Sequence, residues 1–355
     1  MRLGRILRGG LHVALFGAVL HPACARRQPA EVNPIVPSFS MSRARAPLGS
    51  AVEVTYTWVA EAEAKKVPGD YRAMVHFLDT HRVMLFEDDH APTPPTSQWE
   101  PGKTYTYTRT KFIPIYPYVG EVEVRMGLTP PSGRGERIAL KGQDAGLREY
   151  QVAKIELLPQ TENIFLVYKE GWHTPEASPD NPGLERTWTK KEALVSFKNP
   201  RKDIIVYIEA DTNTKLVNQP QALTMSIGKT GLHRPVENSE VFLEKVRFKA
   251  ADLGDAEWVD LRLSTNYSFV PKDLGFNQDW RELGLLVYHL YVAEADKLGP
   301  LPGVVDAGPV TPPLARPVAF ASPAAGRAGS PAPARTASPS PARTASPSPR
   351  PSPTP

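Results

Sequence analysis

Polar and apolar side chains alternate with a period of two along most of the chain between residues 50 and 158. Positions 52–58 place two valines, Tyr56 and Trp58 on one face, with glutamate and threonine on the other. This alternation is typical of a half-buried β-strand. No stretch in this region keeps a 3.6-residue apolar period over three turns, so the pattern favours sheet over helix.

Two series of short strands follow from this pattern, separated at Leu158-Pro159-Gln160-Thr161. Proline- and glycine-rich turns divide the strands, which is typical of sandwiches and barrels. The run Ile204–Ile208 is continuously apolar, which indicates a strand that is central or covered on both faces. The predicted strands are 52–58, 72–78, 83–86, 104–113, 121–127, 137–140 and 150–157, then 164–168, 194–198, 204–209, 223–227, 241–249, 258–263 and 283–292.

The chain is therefore predicted to be all-β, with two consecutive antiparallel β-sandwich domains of immunoglobulin-like or jelly-roll-like type. The predicted boundaries are a signal peptide at 1–25, a linker at 26–37, sandwiches at 38–158 and 160–297, and a tail at 298–355. The tail is expected to be disordered, because 16 of the 38 prolines lie between residues 300 and 355 and PARTASPS repeats twice from 333 to 348. Such a segment has too few apolar residues to form a core.

The N-terminus resembles an export signal. Three arginines precede the apolar run LHVALFGAVL at 11–20, which is short for a membrane span. Three outcomes stay open: cleavage before Arg26 after the small residues Ala23 and Ala25, lipidation of Cys24, or an uncleaved anchor. The second outcome requires leucine three residues before the cysteine, and His21 stands there instead.

Cysteine content and charge exclude several function classes. Cys24 is the only cysteine, so the sequence offers no disulfide, cysteine nucleophile or cysteine zinc site. The net charge of +4 comes from the ends: residues 1–30 carry five arginines and no acid, and residues 300–355 carry five arginines against one aspartate. Residues 31–299 are therefore mildly acidic, which disfavours nucleic acid as a partner.

The body of the chain resembles the β-sandwich modules attached to bacterial cell-surface polysaccharide glycosyltransferases and related envelope proteins. No transferase domain or multi-span region accompanies the modules in this chain, so the resemblance implies a fold and a glycan-associated envelope setting without catalysis. The residues that carry it are Glu170-Gly171-Trp172, Glu176, Trp188-Thr189, Phe269-Val270-Pro271 and Asp279–Gly284, with Val75-His76-Phe77, Asp89-His90, Pro92, Thr96–Gly102, Gly127-Leu128 and Ser132-Gly133 in the first domain.

The densest polar cluster lies between His76 and His90 and includes Glu87, Asp88 and Asp89. Histidine and carboxylates can bind a divalent metal or act as general acid and base. The metal candidates are Asp88, Asp89 and His90, although short carboxylates at a strand end commonly bond backbone N–H groups instead. His76 shares its predicted face with Met74 and Leu78, which is typical of a core histidine.

A second cluster suits carbohydrate: Trp172, Glu176 and Trp188 are the candidate ligand-binding residues. Tryptophan rings can stack on sugar rings while carboxylates accept bonds from hydroxyls, but a sandwich core also uses large aromatics. Asp279, Arg281 and Glu282 precede the last predicted strand, where an ion pair fixing the start of that strand is expected. Gly228-Lys229-Thr230 has a phosphate-loop ending, but Leu223 stands where the first glycine is required.

The sequence motifs of the common hydrolases and nucleotide binders are absent, so no catalytic residue and no cofactor is expected. The leading hypothesis is an exported, non-catalytic binding or accessory module acting near surface polysaccharide, in the periplasm or at the outer membrane or cell surface. It would touch a membrane only through its signal or a lipid anchor. The alternatives are a structural or assembly partner in an envelope protein complex and, last, a metal-dependent hydrolase.

Overall fold

A computed structural model describes residues 31–178, 185–212, 221–236, 241–299 and 301–310. The predicted signal peptide with Cys24, and most of the predicted tail, lie outside the described residues. The described chain is all-β, as the alternating pattern predicts, and its helical segments are single 3₁₀ turns at Thr96–Gln98, Gln160–Glu162, Ala250–Leu253 and Ala295–Lys297. Within the described residues, no helix has both the length and the apolar character needed to cross a membrane.

The first sandwich consists of a three-stranded sheet in the order β1-β3-β6 facing a five-stranded sheet in the order β2-β8-β7-β4-β5. Its strands are β1 Ile35–Met41, β2 Arg45–Pro47, β3 Ala51–Ala60, β4 Arg72–Leu78, β5 Met84–Glu87, β6 Thr104–Phe112, β7 Gly120–Thr129 and β8 Tyr150–Leu158. Neighbouring strands are antiparallel except for β2 and β8. The core between the sheets takes alternate residues of β3, β4 and β7, as period-two patterning requires.

The second sandwich consists of two six-stranded sheets, in the orders β10-β11-β18-β13-β16-β19 and β20-β15-β14-β17-β12-β9. Its strands are β9 Leu166–Tyr168, β10 Glu176–Ala177, β11 Glu185–Trp188, β12 Glu192–Lys198, β13 Ile204–Asp211, β14 Gln221–Ile227, β15 Thr230–Val236, β16 Phe242–Phe248, β17 Trp258–Thr265, β18 Leu286–Glu294, β19 Val304–Asp306 and β20 Gly308–Pro309. Among the described strands of this second sandwich, only β16 and β19 pair in parallel.

The continuously apolar run in β13 is explained by its position. Ile204, Val206 and Ile208 face the core between the two sheets, while Ile205 and Tyr207 face away from it. The outward residues pack with Phe112 and Ala51 of the first sandwich in a separate apolar cluster. The strand is thus central and covered on both faces, which confirms the prediction for this run.

The contact between the sandwiches also holds a buried ion pair. Lys245 Nζ of β16 lies 2.7 Å from Glu53 Oε1 of β3, and the two side chains are 9% and 5% exposed. Thr110 Oγ1 donates to the same carboxylate, and the Lys245 ammonium donates to the Pro302 carbonyl. Each of these two charges therefore has several partners, as buried charges require. At the same contact, the Phe112 ring stacks on His289 with 4.1 Å between ring centroids.

The structure corrects several predicted boundaries. Residues 137–140 form no strand: Leu140 makes a single bridge to Asn33, and its N–H donates to the Tyr150 hydroxyl. Strand β1 begins at Ile35, inside the predicted linker. Strands β19 and β20 lie inside the predicted tail, and Leu298 at its start is buried in the apolar cluster between the sandwiches. Pro37 lies in β1, β20 consists of Gly308 and Pro309, and Gly303 directly precedes β19, so the sequence pattern of these segments resembles that of loops.

The sequence Gly228-Lys229-Thr230, rejected above as a phosphate loop, is a hairpin turn. It joins β14 to β15, with Ile227 paired to Thr230 across a two-residue loop. Gly228 has a φ of 56°, a backbone conformation that favours glycine. The sequence pattern did not predict β15, because this strand contains a glycine and a proline. Both residues are tolerated there because β15 lies between β14 and the two-residue strand β20, next to the edge of the sheet.

Candidate functional site

Residues 270–282, called the aromatic loop here, lie between β17 and β18 and carry Trp280, which equals Phe165 as the most exposed aromatic side chain of the described residues. The base of the loop is closed by Phe269 and Leu283, which exchange two backbone hydrogen bonds of 2.9 and 2.8 Å. Both side chains are buried with Trp188 and Leu286 in a small apolar cluster. The loop therefore starts and ends on a fixed base.

Internal hydrogen bonds hold the loop together. The Lys272 N–H donates to the Asp279 carbonyl at 2.8 Å, and the Phe276 N–H donates to the Pro271 carbonyl at 3.0 Å. Against this ordered backbone, three apolar side chains point into solvent: Leu274 is 43% exposed, Phe276 50% and Trp280 77%. Exposed apolar groups in one segment mark interaction surfaces more often than singly scattered ones do.

Arg281 directly follows Trp280 in the chain and holds this part of the backbone in place. Its guanidinium bonds both oxygens of Asp279, at 3.0 and 2.7 Å, and its Nη1 lies 2.6 Å from Glu176 Oε1 of β10. The bond from Arg281 holds the pKa of Asp279 below its usual value, so this carboxyl stays ionised at neutral pH. The predicted ion pair between residues 279 and 281 is confirmed, and Glu176 is its third member.

Glu282 is bound on the opposite side of this group. Ser268 Oγ donates to its carboxylate at 2.7 Å, and the ring of His173 bonds its carbonyl at 2.6 Å. Every residue from Asp279 to Leu283 except Trp280 thus has a side-chain or backbone partner that positions it. The exposed indole belongs to the middle residue of this fixed segment, between Asp279 and Arg281 in the sequence.

The three residues selected from the sequence for ligand binding have different positions. Trp188 is 8% exposed and packs edge-on against Phe269, so it cannot stack on a sugar. Trp172 is half-buried against the core, and its indole N–H donates to the Leu194 carbonyl at 2.9 Å. The burial of Trp188 corrects its assignment as a ligand contact, whereas Trp172 packs against the core and keeps part of its side chain exposed. Glu176 alone lies at the aromatic loop.

Trp280 is not among the binding residues expected from the sequence, because residues 279–282 were interpreted only as an ion pair. The sequence does contain a signal for its exposure: in this loop, glycine and polar residues surround two aromatic residues, and the alternation typical of a strand is absent. Six tryptophans occur in the chain, and the structure sorts them: Trp58, Trp99 and Trp188 are buried, Trp172 and Trp258 are partly exposed, and Trp280 is the most exposed.

The polar cluster of the first sandwich divides between two faces of the sheet. Asp88 and His90 point inwards: the Tyr56 hydroxyl donates to Asp88 at 2.7 Å, and the His90 ring bonds the Tyr107 hydroxyl at 2.8 Å. Asp89 points outwards and accepts the Val75 N–H at 2.8 Å. Asp88, Asp89 and His90 therefore cannot share one metal ion, which corrects that assignment.

No family model matches the chain, and no curated protein matches it. Solved structures give distant matches, each over 74% of this chain with a TM-score of 0.22. They are the native form of E. coli alpha-2-macroglobulin (12% identity, 14% of that chain), a structure described as pT26-6p (7%, 64%) and the mosquito-larvicidal Cry4Aa toxin from Bacillus thuringiensis (8%, 52%). The chain thus spans less than two thirds of each matched chain, and likeness at this level supports no functional argument.

Proposed function

We propose that the protein is a non-catalytic binding module that contacts polysaccharide of the cell envelope through Trp280. The observation that carries the proposal is the 77% exposed indole, held between residues that are fixed by hydrogen bonds. A flat indole offers an apolar surface to the C–H face of a sugar ring, and its N–H remains available to a hydroxyl. The resemblance of the chain to envelope modules supports the same class of ligand.

The neighbouring carboxylates complete the chemistry of the site. Asp279 and Glu176 both form ion pairs with Arg281, and each keeps acceptor capacity for sugar hydroxyls because a carboxylate has about four lone-pair sites. The site is open and lies on a surface loop, so it suits a chain that passes over the protein better than a small molecule that is enclosed. Enclosing sites for small ligands are concave and bury most of the ligand surface.

The experiment is a glycan array followed by calorimetric titration of the best soluble glycan with the full chain. Trp280→Ala should abolish binding, and Glu176→Gln should weaken it by removing an acceptor and loosening Arg281. Trp258→Ala is the matched control, because Trp258 is 47% exposed at the start of β17, and the end of that strand nearer the loop is roughly 23 Å away at about 3.3 Å per residue. Failure to bind any glycan at millimolar concentration, or equal binding by Trp280→Ala, would refute the proposal.

Export to the envelope is a separate part of the proposal and has its own test. Intact mass of the mature protein from membrane and soluble fractions distinguishes the two processing routes. A mass that begins at Cys24 and includes acyl chains would show an anchored lipoprotein, whereas a lipid-free mass beginning near Arg26 would show a released protein. A mass that still includes residues 1–23 in all fractions would contradict export by either route.

A further inference from the structure

The outward face of the five-stranded sheet brings together a histidine and two carboxylates that are apart in the sequence. His76 of β4 pairs directly with Glu87 of β5, and Asp89 follows on the same face two residues later. One ligand atom from each of the three residues lies within 4.8 Å of the others. From this geometry we infer a site for a divalent transition metal ion, with zinc as its best-fitting occupant, formed by His76, Glu87 and Asp89.

The orientation of His76 favours a metal ion at this site. Its Nδ1 lies 3.3 Å from Glu149 Oε1, and Arg137 holds the same carboxylate oxygen at 2.8 Å. A carboxylate that accepts from one ring nitrogen of a histidine fixes the ring and leaves the other nitrogen for a metal.

The carboxylates of the other two residues also favour a cation here. Among the described residues, neither the Glu87 nor the Asp89 carboxylate is paired with a cation. Asp89 accepts only the Val75 N–H, and Arg72 donates to its backbone carbonyl rather than to its side chain. The nearby Arg125 is occupied, since its Nε lies 2.5 Å from Glu123. Two like charges beside each other are unfavourable unless a cation is shared between them.

The chemistry of the three ligands selects the ion. One imidazole nitrogen and two carboxylates suit zinc or a similar divalent ion, whereas calcium takes six to eight oxygen ligands. Atoms bound to one zinc ion lie about 3.3 Å apart, given bonds of roughly 2.0–2.2 Å. The exposed Glu87 side chain can close the remaining gap by rotating. The fourth position would face solvent and hold water.

The test is a calorimetric titration of the full chain, without a histidine tag, with zinc chloride and separately with calcium chloride. Zinc should bind with one equivalent per chain. Glu87→Gln and Asp89→Asn keep the shape of each side chain and should each lower zinc affinity at least tenfold. Glu149→Gln should lower it by roughly 10- to 100-fold, the usual effect of losing the partner of a metal-bound histidine.

Matched controls separate this site from adventitious binding. His81 is an exposed histidine in the adjoining turn, and His81→Ala should leave the zinc affinity unchanged. Circular dichroism of each variant establishes that loss of binding is not loss of fold, and cobalt absorption spectra report nitrogen and oxygen ligands directly. No zinc binding at millimolar concentration, binding that survives the double change of Glu87 and Asp89, or binding of calcium alone would overturn the inference.

Discussion

The two sandwiches stabilise their cores by different means. The first encloses a polar network in which Tyr56, Asp88 and His90 are bonded to one another and to Tyr107. The second is filled by aliphatic side chains and phenylalanine. Among the described residues of the second sandwich, one charged side chain is buried, Lys245 at the contact with the first sandwich. The other buried polar side chains are neutral: Ser178, Thr189, Ser196, Asn199, Thr212, Gln221, Thr224 and Thr265.

This difference has a thermodynamic consequence. An apolar core gains stability from area removed from water, and that gain is almost independent of pH. A buried network of titratable groups is stable only while each group keeps the protonation state that its partners require. The first sandwich should therefore respond to pH and the second should respond mainly to changes in packing volume.

The largest expected effect concerns the ion pair that joins the two sandwiches. Lys245→Met leaves the Glu53 carboxylate buried without its ammonium partner, and we expect a loss of about 3–5 kcal/mol in the free energy of unfolding. Urea denaturation measures this. The double variant Glu53→Gln with Lys245→Met removes both charges and should recover most of the loss. A single variant that costs no more than an exposed ion pair would show that the sandwiches are held together by apolar contacts alone.

Deletion of apolar volume should affect the two cores equally, which tests whether they differ only in their polar groups. Leu128 of β7 and Leu261 of β17 are both fully buried, and substitution of either by alanine should cost about 2–5 kcal/mol. Hydrogen exchange measured by mass spectrometry then shows where protection is lost. Loss confined to the mutated sandwich indicates separate folding units, and loss throughout both indicates one.

Acidification should weaken the first sandwich in two stages. Burial lowers the pKa of His90, so the unfolded chain binds its proton more readily. The stability from neutral His90 is complete above about pH 6.5 and is lost as the pH falls below that value. Burial would raise the pKa of Asp88, but Lys111, Tyr56 and Arg109 together lower it, so its contribution is complete above about pH 4 and is lost below.

Hydrogen exchange between pH 7.5 and 5, corrected for the intrinsic rate, measures the first stage. Protection in β3 and β4 should fall while protection in β12 and β13 changes little. His90→Gln keeps a partner for Tyr107 without titrating in this range, so its first sandwich should lose the pH dependence. Equal loss of protection in both sandwiches of the unmodified chain would contradict the comparison.

The smallest expected effect on stability is at the proposed binding site. Trp280→Ala removes an indole that contacts solvent over most of its surface, so the free energy of unfolding should change by less than about 0.5 kcal/mol. Thermal unfolding followed by circular dichroism measures this. A large loss would mean that Trp280 packs in the folded protein and would argue against its role as a free contact surface.

Strands with one buried face were predictable from the sequence because alternation determines both their position and their orientation. Residues 72–78 were predicted as a strand and form β4 with those bounds. The same reasoning, extended to residues 87–90, would have separated Asp88 and His90 from Glu87 and Asp89. Consecutive residues of an extended segment face opposite ways, so proximity in sequence was misleading there.

The remaining features depend on contacts between distant residues and have no local signal. Glu53 and Lys245 are 192 positions apart, and neither differs in its sequence neighbourhood from an exposed strand residue. The exposure of Trp280 and the burial of Trp188 depend on which apolar residues close the base of the aromatic loop. Short strands such as β19 and β20 are stabilised by their neighbours rather than by their own composition.

The position of β18–β20 in the chain has a consequence for synthesis of the protein. Strand β18 lies between β11 and β13, and the late strands β19 and β20 complete the edges of two different sheets. The first sandwich is complete once Leu158 has left the ribosome, but the second lacks an inner strand until Glu294 has followed. The first sandwich can therefore fold earlier, while Glu53 still faces water. Glu53 becomes buried only when the second sandwich docks against the first.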